Sequence, residues 1–263
     1  QRAGNVLRTE LRPFLAKAQS GQLGLEPRVS PGSRSRLLAH LLLNIPSGTD
    51  ALGERIDAGL LGLPSVVGLR ARTATAVEVV ASSMPKDRSL RGALLQPNCG
   101  ALLARLLPLL TAQGADLAVI DGDPSVLSFV DAGLQARPAE VRLSMHNADL
   151  SGLRPIAIGA ELDIVIMDGL VDYLPSRQLG VVLSAVRSSL RDGGRVVMTA
   201  MGPSSDARLL EHVLRWPMLR RTPGEWTSML KAAGFDSIVA PKSSQKDHCG
   251  LVMSAVRSDV TQD

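Results

Sequence analysis

The 263-residue sequence predicts an α/β chain: a doubly wound, mostly parallel seven-stranded sheet with an N-terminal helical extension. Three observations carry that expectation. From Leu90 onward, short apolar runs alternate with helical patterns, as parallel strands with crossover helices require. One run, Leu162–Met167 (LDIVIM), is apolar almost throughout, as a strand covered on both faces should be. The third is the stretch Ala93–Asp123, ALLQPNCGALLARLLPLLTAQGADLAVIDGD. It reads strand, tight turn at Pro97-Asn98-Cys99-Gly100, helix, strand and carboxylate, the front half of a Rossmann-type nucleotide site. In such a unit the helix N-terminus faces a polar ligand, and an acid closing the second strand takes both ribose hydroxyls.

Residues 1–85 read as helical. Val6, Leu7, Leu11, Phe14 and Leu15 form an apolar stripe at helical spacing. Gly21–Ser35 reads as a connector, and Leu37–Ile45 as an apolar helix stopped by Pro46-Ser47-Gly48. Thr49 or Asp50 is placed to cap the next helix, with Glu54 near the capping-box position. Ile56, Leu60, Leu61, Leu63, Val66, Val67 and Leu69 continue the apolar face. Residues 70–84 read as one more helix in preference to a strand. Pro85–Ser89 marks the boundary between a helical lid or dimerisation region (1–85) and the sheet domain (86–263).

Within the sheet domain the strands fall at about 91–96, 117–121, 141–145, 162–167 and 195–200. A helix opens at Pro124, with proline in its first turn. Another runs from Pro175 to Leu190, and Gly193-Gly194 reads as its cap and turn. Asp206–Leu214 is helical, and Thr222-Pro223-Gly224-Glu225 starts a last helix with a cap, a proline and an acid. Phe235–Ala240 and Cys249–Val256 complete the seven strands, the last expected to be antiparallel.

Composition narrows the function classes. Hydrophobic residues make up 45% of the chain, enough for a full core, but aromatics only 2%, so that core must be aliphatic. The net charge of +4 comes from interspersed charges and not from a basic block with aromatics, which argues against a dedicated nucleic-acid binder. Two cysteines, Cys99 and Cys249, make neither a disulfide framework nor a structural zinc site, so no metal is expected. No apolar run reaches membrane-spanning length and no secretory pattern opens the chain, so a reduced, cytoplasmic protein without a membrane partner is expected.

Five motifs in order resemble a class I S-adenosylmethionine-dependent methyltransferase. They are the acid after strand two, Asn147-Ala148-Asp149 after strand three, Asp168-Gly169-Leu170 with Asp172-Tyr173-Leu174 after strand four, LRDGGRVVM before strand five, and the closing LKAAGFDSIV. The likeness covers about residues 86–257. The pattern from Arg55 to Arg72 also looks like the helical lead-in of a bacterial branch that includes proteins linked to fatty-acid methyl ester signals. The resemblance implies S-adenosylmethionine as cofactor and a small-molecule acceptor, a secondary metabolite or a fatty-acid-like compound. It implies a turn under the methionine part at Gln96, Asn98, Cys99 and Gly100. Asp121, with Gly122 and Asp123, matches the ribose acid, and Asn147, Ala148 and Asp149 lie near the adenine. Asp168 and Gly169 match the pocket floor near the sulfonium.

The turn departs from the family's pattern. Gln96 stands for the usual acid, Asn98 for the first glycine and Leu102 for a later one, and Pro97 sits where the strand should still donate hydrogen bonds. These changes predict a reshaped methionine end.

Three residues are candidates for catalysis. Tyr173, the only tyrosine, would contact the sulfonium through its ring or orient an acceptor, or pack as a lid aromatic. His146 is a candidate general base, with a loop histidine as the preferred plain reading, and Asp172 is a candidate beside Tyr173, with a helix-start acid as its preferred plain reading. Asp121 has capping the Pro124 helix as its alternative, and Asp149 a turn role. Cys99 reads as a packing residue, His40, His212 and His248 as structural or surface residues, and Trp216 and Trp226 as either a substrate wall or helix anchors. The N-terminal helices are expected to fold over the strand ends as a lid or to build a homodimer surface. Two other roles fit the same fold: a cyclase, alkyl transferase or pericyclase-like enzyme, and a non-catalytic partner subunit.

Overall fold

The computed structural model describes residues 10–25, 33–152, 156–212, 214, 216–239 and 249–258. Val6, Leu7 and His248, singled out above, lie outside them.

A helical stretch at 10–15 leads into α1 (Gln19–Leu25), which falls inside the expected connector. Its start is fixed from outside the segment, because the buried Asp57 carboxylate accepts the Ser20 amide at 2.7 Å. α2 (Ser33–Leu43) starts and ends earlier than the apolar run suggested, and Asn44 closes it with a left-handed φ of 56°. α3 (Ala51–Leu61) is capped by Asp50, whose side chain accepts the Gly53 amide; Glu54 lies one residue beyond the capping-box place. Pro64 opens α4 (Pro64–Ser83), a single helix of 20 residues through the stretch that also had a strand reading.

β1 (Leu90–Leu95), α5 (Ala101–Gln113), β2 (Ala115–Asp121), α6 (Pro124–Gly133), β3 (Val141–Asn147) and β4 (Leu162–Asp168) follow. Then come a 3-10 turn at Leu170–Asp172, α7 (Ser176–Ser189), β5 (Leu190–Met201), α8 (Ala207–His212), α9 (Pro223–Ala232), β6 (Asp236–Val239) and β7 (Gly250–Val256). The capping box at α9 forms as the sequence indicates, Thr222 and Glu225 each holding the other's backbone amide. One boundary differs. Gly193 and Gly194 lie inside β5 instead of capping α7, because the strand begins at Leu190 and pairs with Leu162 before a register shift. Gly193, at φ 72°, donates to the Arg257 carbonyl, and Arg257 donates back to Gly194.

The sheet order is β3-β2-β1-β4-β5-β7-β6, and only β7 runs antiparallel to its neighbours. Alternation along the strands divides the core in two. Ala93, Leu95, Val165, Met167, Val196 and Met198 face α7 and α9. Leu90, Leu94, Ile164, Ile166 and Val197 face α4, α5 and α6. α4 belongs to both the helical region and the sheet domain. Val66 and Leu69 pack with α2 and α3, whereas Ala76 and Val80 enter the sheet core. Gly68 and Gly250 let the α4 backbone meet β7: a Cβ on Gly250 would stand 2.1 Å from the Gly68 carbonyl oxygen.

Candidate active site

The strand order reverses between β1 and β4, and their following helices go to opposite faces, α5 to one and α7 to the other. A crevice therefore opens beyond the carboxyl ends of these two strands, where open α/β sheets bind ligands. The turn after β1, the end of β2 and the end of β4 meet around it.

The Gln96 amide still donates to the Ile120 carbonyl at 2.9 Å, so the chain leaves the sheet at Pro97. Pro97 thus follows the last sheet bond, where a missing N–H costs nothing, and the sequence-based objection to it falls. Gln96, Asn98 and Gly100 are all left-handed, with φ of 55°, 54° and 74°. The Gly100 amide closes the turn onto Pro97 at 2.8 Å, and Gly100 begins α5 with no side-chain cap. Leu102, at a position where glycine would let a ligand approach, instead points into the core with Leu103 and Leu106.

Asn98 ties this turn together. Its Nδ2 donates to the Asp168 main-chain oxygen at 2.5 Å, across the crevice from β1 to β4. Its Oδ1 accepts from Gln96 Nε2 at 3.2 Å, and its carbonyl accepts from the Ser35 hydroxyl of α2 at 3.0 Å. Cys99 packs against the apolar cluster of α2, α3 and α4, and burial pushes its thiol up to about 11. It is a packing residue at neutral pH.

Asp121 closes β2 and is nearly buried; its Oδ1 accepts the Asp123 amide at 2.9 Å. Asn147 Nδ2 and the Ala148 amide both donate to its carbonyl at 3.0 Å. Asn147 and Ala148 thus hold Asp121 in place. The capping role belongs to Asp123, whose carboxylate accepts the Ser125 amide and hydroxyl. Gly122 lies between the two acids. The two carboxylate oxygens of Asp149 accept the Ser151 amide and hydroxyl, a turn built on its own next residues.

On the floor, the Thr199 hydroxyl donates to Asp168 Oδ1 at 2.8 Å. Gly169 is left-handed at φ 72°, and a Cβ there would meet Arg72 Nη2 at 2.8 Å. Arg72, from α4, is 5% exposed and bonds the 1% exposed Asp172 at 2.9 Å. Asp172 also accepts the Met201 amide, and its carbonyl accepts the Leu219 amide. Burial pushes the Asp172 carboxyl up against the pull of Arg72, while Asp172 and Asp168 keep the guanidinium charged despite its burial. Asp172 is a sealed acid that joins α4 to the loop after β4. His146 lies near the end of the edge strand β3, opposite Ile120 of β2, and bonds Ser144.

Tyr173 follows Asp172, and its hydroxyl accepts the Trp216 indole N–H at 2.7 Å. Trp216 in turn packs on the α2–α4 cluster that also holds Cys99. Tyr173, Trp216, Cys99 and Ser35 therefore join the helical layer to the crevice. Trp226 is an anchor and no wall: it is fully buried beneath Arg221, 5.0 Å from its ring centroid. Arg221 spans to the Val171 and Leu174 carbonyls.

Sequence reasoning missed Arg72, Ser35, Thr199 and the pairing of His40. His40 Nε2 lies 2.9 Å from Asp57, which also accepts the Ser20 and Ser47 amides. The signal was present, because Leu69, Arg72, Thr73, Ala76 and Val80 share one helical stripe, and so do Gly53, Asp57, Leu60 and Leu61. A charge on a buried stripe calls for a partner. No group able to hold a metal occurs among the described residues, and no described helix is long and apolar enough to cross a membrane.

The architecture is that of class I methyltransferases. No family model and no curated protein sequence matches the chain. Among solved structures, a possible exported protein of Bordetella parapertussis superposes on 95% of this chain and 87% of its own, with a TM-score of 0.75 and 20% identity. The CurJ carbon methyltransferase matches 98% of this chain and 70% of its own, with a TM-score of 0.59 and 16% identity. The N-methyltransferase NodS from Bradyrhizobium japonicum matches 73% of this chain and 98% of its own, at 0.53 and 16%.

Proposed function

We propose that this chain transfers a methyl group from S-adenosylmethionine to a small, largely apolar acceptor. The observation that carries the reading is the meeting, at one switch-point crevice, of the near-buried Asp121, the left-handed Gln96–Gly100 turn and the Asp168-Gly169 floor. Asp121 closes β2 as a ribose-binding acid does, and its oxygens are suited to accept from a diol.

Bound there, S-adenosylmethionine supplies a methyl group already activated on a sulfonium. The chain's part is then to orient and to exclude water. Asp121 holds the sugar and fixes the register of the reacting end above Gly169. The cluster of Leu38, Leu41, Leu61, Val66 and Leu69, on which Cys99 and Trp216 pack, keeps water from that end. Tyr173, steadied by Trp216, orients the acceptor. The likeness to a carbon methyltransferase over nearly the whole chain, against 73% for the N-methyltransferase, supports giving the N-terminal helices an acceptor-side role.

Calorimetry with S-adenosylmethionine and S-adenosylhomocysteine tests the reading. Asp121→Ala removes a charged acceptor, and about 10- to 100-fold weaker binding is expected. No heat from either nucleoside with the wild-type chain would refute it. A second role, with the fold kept and the methyl transfer lost, is favoured by the Asn98 bridge across the crevice. Mass analysis of spent cofactor separates the two, since methyl transfer leaves S-adenosylhomocysteine, and ring closure or aminocarboxypropyl transfer leaves methylthioadenosine.

A further inference from the structure

We propose that the Asn98 side chain is a built-in occupant of the crevice, holding a seat that only a ligand with its own ammonium group can take over. The inference deepens the reading above and rests on it.

β1 and β4 are parallel neighbours up to Leu95 and Met167. Beyond those residues their chains separate, α5 turning to one face of the sheet and α7 to the other. Anything entering between the strand ends passes the Asp168 carbonyl. In this chain that carbonyl already accepts from Asn98 Nδ2 at 2.5 Å. The left-handed backbone at Asn98 aims the side chain across the gap, and Gln96 Nε2 steadies its oxygen. The Gly169 backbone forms the floor beneath the amide. A Cβ on Gly169 would lie 3.7 Å from Asn98 Nδ2 and 2.8 Å from Arg72 Nη2.

Displacing the amide leaves a buried carbonyl without a donor, which is costly unless the incoming ligand supplies one. The Asp168 carbonyl decides what kind of donor fits, because the carboxylates of Asp168 and Asp172 are matched by Arg72, Arg220 and Arg221. A neutral donor would replace the amide like for like. A primary ammonium makes a stronger, charge-assisted hydrogen bond to the same carbonyl. The selected class is therefore an amino-acid-bearing nucleoside, and nucleosides without the amino-acid tail gain nothing from moving Asn98.

Asn98→Gly tests this directly. Glycine takes the left-handed φ without strain, and the Ser35 bond to the residue-98 carbonyl is kept. Binding of S-adenosylhomocysteine and of methylthioadenosine is measured by calorimetry on wild-type and variant chains, with folding checked by circular dichroism. S-adenosylhomocysteine is expected to bind about tenfold more tightly to the variant, the scale of one competing hydrogen bond, and methylthioadenosine to stay within about twofold. Asn98→Ala, which also removes the amide, is expected to shift in the same direction and serves if the glycine variant folds poorly. Equal shifts for both nucleosides, no shift, or weaker S-adenosylhomocysteine binding would overturn the inference while leaving the cofactor reading standing. Binding of neither nucleoside to either chain would overturn both.

Discussion

Replacing Arg72 by methionine removes the cation from a pair that water barely reaches. Arg72 is 5% exposed and Asp172 1%, and the two meet at 2.9 Å. Breaking one half of a buried pair typically costs about 3–5 kcal/mol, because the other charge stays buried without compensation. Asp172 keeps one partner, the Met201 amide at 2.8 Å, which places Arg72→Met at about 3–4 kcal/mol, the lower part of that range. Asp172→Asn leaves the guanidinium with only the Asp168 carboxylate nearby and keeps an acceptor for Met201, so a similar loss of about 3 kcal/mol is expected. The double variant carries neither charge and keeps the amide bond. Its loss should be about 1–2 kcal/mol, well below the sum of the two single losses. Urea unfolding followed by circular dichroism reads all four chains. With a slope of about 2 kcal/mol/M, Arg72→Met should lower the midpoint by roughly 1.5–2 M. The sign with pH is fixed too. Burial holds the Asp172 carboxyl above its ordinary value, so its stabilising contribution is complete at low pH and is lost as pH rises through the folded value. Arg72 opposes that loss, so the deficit of Arg72→Met should be smaller at pH 4 than at pH 7. A single-variant loss below about 1 kcal/mol, or a double variant losing the full sum, would refute the coupling drawn between α4 and the loop after β4.

Two further expectations concern how the helical layer is held. Asp57 is fully buried, yet hydrogen bonds from Ser20, Ser47 and His40 outweigh burial and lower its carboxyl. A lowered folded value means stability that is present above the unfolded value and lost as pH falls through the folded one. Asp57→Asn should therefore flatten the acid limb of the stability curve below about pH 4, and an unchanged limb would show the knot to be unimportant. Gly250→Ala places a methyl 2.1 Å from the Gly68 carbonyl oxygen. It should cost about 1–3 kcal/mol by pushing α4 off β7, measured as a lowered thermal midpoint; a neutral result would mean that the helix slides without penalty.

Asp121, the turn at Gln96–Gly100 and the Asp168-Gly169 floor were legible because each sits at a strand end, and strand ends are marked by local pattern. An apolar run of period two or a full apolar run, then a polar or glycine residue, is a signal carried within ten residues. The same holds for the Thr222–Glu225 cap. The pairing of acids was not legible in this way. Asp121 and Asp123 were read together, and only the packed loop assigns one to the crevice and the other to the helix cap. Asp172 and Asp149 follow strands, and strand ends attract a chemical reading, but the sequence does not give their partners. Asp172 is bonded to a residue 100 positions earlier, and Asp149 to one two positions later.

The sequence by itself determined the strand order, the helices of the sheet domain, the aliphatic core and the position of the crevice. These follow from backbone periodicity and turn chemistry, which act over a few residues. The tertiary structure decided which charges are sealed, that Trp226 is an anchor, and that Asn98 spans β1 to β4. Those outcomes depend on which surfaces meet. Arg72 with Asp172, Trp216 with Tyr173 and Ser35 with Asn98 each join segments at least 43 residues apart, a separation over which no local pattern carries information.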